Sequence, residues 1–273
     1  MGETLKGLLY IGVAVIPVTG YLFMDMVFYF KSKKSKREIF FKRKFALKTI
    51  ARPYIALVIR IYPGYQRLSE TDKLRFQNRM VNFLNRYDII SKGNLNLKPE
   101  DKILIAASYT KLTFGYKNYL IGSFNKIVIY PDAFLYKPDN QYHIGQFNPS
   151  QKALVFSWKD FLEGYQNTAD GRNLALHEFT HALMFYFASP RKNNTNSATI
   201  FSENYKEIIR ITREPLMQNR LRNSGLIREY AFTDSFELIA VLVELYFEKQ
   251  TALKTSFPQI YRLVAMMLSQ KPE

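Results

Sequence analysis

The sequence predicts an α+β domain, mostly helical around a small β-sheet, preceded by one membrane-spanning helix. Three observations carry this expectation. The stretch from Leu8 to Phe30 is uncharged except for Asp25 and mostly apolar; short strand-like segments lie in the middle of the 273-residue chain; and after Trp158 the apolar residues recur almost throughout at helical spacing. A hydrophobic content of 47% and a mean hydropathy of −0.20 exclude a multi-span membrane protein but leave room for a single span and a packed domain. With no cysteine, the chain has no disulfide framework, no thiolate zinc site and no cysteine nucleophile. Any transition metal must be held by carboxylates and by the three histidines.

Leu8 to Met24 runs without a charge, and the apolar stretch resumes after Asp25 to end at Phe30. At about 1.5 Å per residue this makes roughly 35 Å of helix, enough to cross a hydrocarbon core of about 30 Å. Pro17 would kink it, which membrane spans tolerate. A cleaved signal peptide is not the expectation, because only Lys6 precedes the run and no small-residue cleavage site follows it. Residues 31–48 carry Lys31, Lys33, Lys34, Lys36, Arg37, Lys42, Arg43, Lys44 and Lys48 against Glu38, which is +8 of the formal net charge of +16. The positive-inside rule then assigns residues 1–30 to a transmembrane anchor, residues 31–50 to a basic juxtamembrane segment attracted to anionic lipid, and the remainder to the cytoplasm. Phe40, Phe41 and Phe45 interleave with the basic residues, but no nucleic-acid-binding signature accompanies them, so nucleic acid is not expected as a partner.

Residues 51–273 show no repeat, low-complexity tract or Pro/Gly-rich linker and read as one domain. Leu68 to Tyr87 is helix-like, with acids in its first turn; Pro99-Glu100-Asp101 opens another helix that ends near Gly115. Strands are expected at Phe124–Tyr130, Gln141–Phe147 and Ala153–Trp158, separated by turn residues such as Asn148-Pro149-Ser150. Helices are expected at about 171–188, 200–222, 234–250 and 257–269. The Asn-rich loop Ser189 to Ala198 is expected to be exposed.

His177-Glu178-Phe179-Thr180-His181 is an H-E-x-x-H motif. On a helix, positions i and i+4 share a face, so both imidazoles reach one ion while Glu178 stands beside it to take a proton from water. The flanks Leu174-Ala175-Leu176 and Ala182-Leu183 are apolar, and two imidazoles and a carboxylate are costly to bury there without a shared role. A third ligand is needed. The positions that would extend the motif in the metzincin manner are Met184 and Phe187, and the remaining imidazole, His143, is far upstream on a strand. A downstream carboxylate fits better: Glu237 and Glu244 stand seven apart in the apolar segment TDSFELIAVLVELYFE, on one helical face. Spacing alone does not choose between them.

NLALHEFTHAL followed by FELIAVLVELYFE resembles the Mlc titration factor A family of zinc peptidases, and LKPEDKILIAASYTKLTFGYKNYLIGSFNKIVIYPDAF and LVFSWKDFLEG resemble that family's upstream blocks. The resemblance covers roughly residues 60–270. It implies a zincin-like metallopeptidase domain of the gluzincin type, with Zn2+ held by His177, His181 and Glu237, Glu178 as general base, and Glu244 as a supporting acid. It also implies a role for Tyr230, seven residues before Glu237, as donor to the oxyanion of a tetrahedral intermediate. Three positions depart from the family pattern: Met184 replaces an Asp, Val243 a Ser, and Val241 stands where thermolysin-type enzymes place an Asp. The expectation is therefore a membrane-tethered, cytoplasm-facing zinc peptidase, acting on a peptide or protein substrate laid as an extended strand along an edge near Ala153 to Trp158. The alternative the resemblance also implies is a regulatory protein that binds and sequesters a protein partner, such as a transcriptional repressor.

Overall fold

In the computed structural model, the described residues are 50, 52–136, 140–167, 170–188 and 195–270. The expected membrane span and basic segment lie outside them, as does most of the loop 189–198. No helix among the described residues is long and apolar enough to cross a membrane.

The sheet that positions the site is built early and closed late. After helix α1 (Ile55–Ile61), helix α2 (Glu70–Arg86) starts where the Ser69 hydroxyl accepts from the Asp72 amide at 3.1 Å, and it runs directly into strand β1 (Asp88–Ser91). Helix α3 (Pro99–Thr113) has Pro at its first position, where the missing N–H is of no consequence, and the Asp101 carboxylate accepts from the Lys98 amide at 2.7 Å. At its far end, buried Arg79 of α2 donates to the carbonyls of Thr113, Phe114 and Tyr116, groups that a helix terminus otherwise leaves unpaired. Strand β2 (Lys126–Tyr130) pairs parallel with β1, with Asp88 opposite Lys126.

The chain then departs from the expected single strand at 141–147. A small hairpin of β3 (Phe134–Tyr136) and β4 (Gln141–His143) pairs Phe134 with His143. At Ile144 the chain changes partner, and β5 (Gly145–Asn148) joins the main sheet antiparallel to β6 (Ala153–Ser157). The main sheet has the order β1-β2-β6-β5, with β2 and β6 parallel. This corrects the expected substrate edge: β6 is an interior strand, and the edge next to it is β5.

Helix α4 (Trp158–Gln166) begins at the hydroxyl of Ser157, which caps the Asp160 amide. It leads to the H-E-x-x-H helix α5 (Leu174–Ala188). Most of α5 is buried, and its middle is fixed by Phe179, whose ring meets those of Tyr109 at 5.2 Å and Phe156 at 5.6 Å. The aromatic layer of α2, α3 and the sheet thus grips one face of α5 and leaves the opposite face for chemistry.

Helices α6 (Asn196–Thr212) and α7 (Pro215–Asn223) divide the expected helix at 200–222. Pro215 has no N–H to continue α6 and instead occupies the first turn of α7. After a short 3-10 turn (Glu229–Phe232), helix α8 (Ser235–Glu248) packs against α5. Helices α9 (Gln250–Ser256) and α10 (Pro258–Met267) complete the domain, with α10 packed against α6.

Candidate metal centre

The centre forms where α5 meets the first turn of α8. His177 and His181 are one turn apart on α5, their ring centroids 4.7 Å apart and nearly perpendicular. Glu237 is set by a local device: the Asp234 carboxylate accepts from the amides of Phe236 at 2.6 Å and Glu237 at 3.0 Å, fixing the start of α8. Glu237 then meets both imidazoles, with Oε2 2.9 Å from Nε2 of His177 and Oε1 3.4 Å from Nε2 of His181. Ligand atoms of His177, His181 and Glu237 all lie within 4.8 Å of one another, and among the described residues no other group of three such side chains does so.

The other nitrogen of His177 decides what this arrangement needs. Nδ1 lies 2.8 Å from Oε1 of Glu244, a carboxylate that is 1% exposed and also accepts from Nη2 of Arg228 at 2.7 Å and from the Asn173 amide at 2.6 Å. Donation of Nδ1–H to Glu244 leaves a neutral His177 with its Nε2 lone pair aimed at a carboxylate oxygen of Glu237. Two acceptors 2.9 Å apart require a cation between or beside them, either a proton or a metal ion. Without a metal the proton fills that role. Burial by itself lowers the His177 pKa, but the hydrogen bonds to Glu237 and Glu244 outweigh it and raise it to about 10. Burial likewise raises Glu237, while bonds from His177, His181 and Tyr230 reverse this and hold its carboxyl well below the usual range. An anionic carboxylate facing two imidazoles, one of them oriented by a second acid, is a donor set suited to a borderline divalent ion such as zinc.

Glu178 lies beside these groups, buried, with its pKa raised first by burial and then held in check by His181 and His177. It lines a cavity of about 740 Å³ together with Gly145, Asn173, His177, Arg228 and Tyr230. Tyr230 is half exposed on the 3-10 turn, its ring 6.4 Å from that of His177. Burial and its hydrogen bond to Glu237 push the phenol pKa up, so it remains a proton donor through the physiological range.

Six residues singled out in the sequence therefore come together: His177, Glu178, His181, Tyr230 and Glu237, with Glu244 behind His177. His143 does not join them; its ring lies on the β3–β4 hairpin, 5.5 Å from that of Tyr136, and borders the cavity. Met184, where the resemblance leads one to expect an acid, is buried at 2% exposure and belongs to the core.

Three contributors escaped the sequence reading. Asn173 joins the two helices: its Oδ1 accepts from Leu176 at the start of α5, its amide donates to Glu244, and its Nδ2 donates to Glu248 at 2.9 Å. Its signal was present, an Asn just ahead of an apolar helix. Arg228, the second donor to Glu244, had none. Gly145 lets β5 approach α5: a Cβ there would lie 2.5 Å from Cδ1 of Leu174 and 2.7 Å from Oε1 of Glu178. A larger residue there would force the Leu174 and Glu178 side chains to move.

Comparison with known sequences agrees with this geometry. The profile of the glucose-regulated metallo-peptidase M90 family matches residues 33–268. The chain belongs to that family. The M90 match contains every residue of the site and reaches upstream into the basic segment. An uncharacterized protein of Synechocystis sp. (strain ATCC 27184 / PCC 6803 / Kazusa) is 24% identical over 231 aligned positions, covering 77% of this chain and 81% of its own length. Membership makes the chain one of a family of metallopeptidases and identifies the family anticipated from the motif blocks.

Proposed function

We propose that this protein is a zinc-dependent peptidase in which His177, His181 and Glu237 hold the ion, Glu178 is the general base and Tyr230 assists the oxyanion. The observation that carries the reading is the 2.9 Å approach of the Glu237 carboxylate to the free nitrogen of His177, whose opposite nitrogen is tied to Glu244. The chemistry a zinc ion supplies at such a centre is polarisation of the scissile carbonyl and acidification of a water molecule.

The protein's own groups do the rest. Glu178 takes the proton of the attacking water and returns it to the leaving amine; burial raises its affinity for that proton and so improves it as a base. Tyr230, kept protonated, donates to the oxygen on which negative charge develops, exchanging its bond to Glu237 for one to substrate. Glu244 holds His177 in one tautomer and orientation, and Arg228 and Asn173 hold Glu244. The free side of β5 offers main-chain groups to an extended peptide passing Glu178. Tethering to a membrane, with this domain on the cytoplasmic side, is part of the proposal and is supported by the apolar run 8–30 and the basic residues that follow it.

Glu178→Gln tests the reading. The variant is expected to retain one zinc per chain by elemental analysis and to lose peptide hydrolysis by at least about a thousandfold, since the amide cannot accept the water proton. Hydrolysis at the wild-type rate in this variant would remove the assignment. A protein that only sequesters a partner would show no turnover in either form.

A further inference from the structure

The edge strand and the active helix share an aromatic feature that the metal centre does not use. β5 is hydrogen-bonded to β6 on one side, and in the strand order of the main sheet its other side is an end. Gly145 and Phe147 lie two apart on β5 and so face the same way. Gly145 sits over Leu174 and Glu178, whereas Phe147 meets Phe185 of α5 edge-on, with centroids 5.5 Å apart and planes at 63°. Phe185 follows His181 by four residues and Glu178 by seven, on the same stripe of the helix. It is 49% exposed although most of the helix is buried. The cavity that Glu178 lines is bordered by Asp160, Glu163, Asp170, Arg172 and Arg228, whereas Phe147 and Phe185 are not among its lining, so the aromatic pair and the charged cavity differ in chemistry.

We propose that Phe147 and Phe185 form an apolar subsite that holds an aliphatic or aromatic side chain of an extended peptide bound to the free edge of β5. A strand added there turns every second side chain toward α5. The residue opposite Gly145 passes Glu178, where a glycine leaves room for the backbone. Its neighbour two positions away lies over the two phenyl rings. Covering the half-exposed Phe185 ring with an apolar side chain supplies selectivity that the charged residues of the cavity do not. The ligand class rests on the peptidase reading; the subsite itself rests on the strand, the contact of the two rings and the exposure of Phe185.

The experiment uses the full chain carrying Glu178→Gln, loaded with zinc, and dye-labelled, end-blocked hexapeptides of serine and alanine in which each position in turn is replaced by Leu or Phe. Binding is read by fluorescence anisotropy. At one position Leu or Phe is expected to bind about tenfold tighter than Ser. Adding Phe185→Ser should abolish that ratio, and Phe185→Leu should largely restore it, while the thermal melts of the three proteins coincide because the ring is half exposed. Equal binding at every position, or a preference that persists in Phe185→Ser, overturns the subsite. The same peptides given to the wild-type chain separate the two readings. Selective binding without hydrolysis leaves the subsite standing and removes the peptidase, and hydrolysis without selectivity does the reverse.

Discussion

Helix α8 carries a buried cluster of charge at each end, and the two are resolved differently. At its first turn Glu237 meets His177 and His181, and two turns later Glu244 accepts from His177, Arg228 and Asn173. At its last turn Glu248 accepts from Asn173 and lies in the field of buried Lys111, whose ammonium donates to the Ile61 carbonyl and sits 4.9 Å from the Phe247 ring centre. The second cluster contains its own cation. The first contains one anion more than its arginine balances, and it directs imidazole lone pairs at Glu237. Burial alone therefore does not single out the candidate metal-binding acid; what singles it out is a carboxylate whose neighbours leave room for a cation.

Removing the proposed ligand Glu237 from the first cluster should give the largest effect. Glu237→Ala is expected to weaken zinc binding by about a thousandfold, roughly 4 kcal/mol, as measured by competition with a chelator. Unchanged zinc affinity would mean that the ion sits elsewhere and would erase the contrast between the two ends.

The second cluster should respond in stability and not in metal content. Lys111→Met leaves a buried carboxylate without its cation and is expected to cost about 3 kcal/mol in urea unfolding of the zinc-free protein at pH 8. Burial already raises Glu248 to about 7, offset in part by Asn173 and Lys111, and burial lowers Lys111 to about 8. A carboxyl whose folded pKa exceeds its unfolded value binds more protons when folded, so it gains stability as the pH falls through that folded value. Without Lys111 the shift in Glu248 grows, and the deficit of the variant should shrink as the pH is lowered from 8 to 5. A deficit that widened toward acid, or a loss of zinc stoichiometry in the variant, would show that the two clusters are not separate.

Much of this architecture was legible in the sequence, and the exceptions have identifiable physical causes. The H-E-x-x-H helix was readable because its two imidazoles interrupt a run that is otherwise apolar, and Glu237 because helical spacing pairs it with Glu244. The choice between those two acids was not readable from spacing, since both lie on the same face; it came from the family resemblance, and the tertiary fold places Glu237 at Nε2 of His177 and Glu244 at its Nδ1. Strand β1 has four residues and only two apolar ones, too short for a period to register. The segment 141–147 read as one strand because its composition is continuous, yet pairing with two different sheets breaks it at Ile144. Arg228 was invisible for a related reason: a charged residue in a loop gives no local sign that a buried carboxylate 16 residues away will receive it.

The smallest expected effect bears on that carboxylate. Glu244→Gln preserves volume but replaces a double acceptor by one carbonyl oxygen and one NH2 group, while three donors, from His177, Arg228 and Asn173, still converge on the site. At least one of them then faces an N–H and loses its partner. If the NH2 takes the place of Oε1, Nδ1 of His177 and Nη2 of Arg228 lose their shared acceptor together; if it takes the place of Oε2, the Asn173 amide loses its acceptor, and in both cases the anion proposed to make Nε2 of His177 a stronger ligand becomes a neutral amide. Either way zinc affinity should fall about tenfold to thirtyfold, less than for Glu237→Ala, with one zinc still bound at saturation. A loss as large as that of Glu237→Ala would make Glu244 a direct ligand, and no loss would make the contact with His177 merely structural. An intermediate value is what a carboxylate acting through a histidine must give.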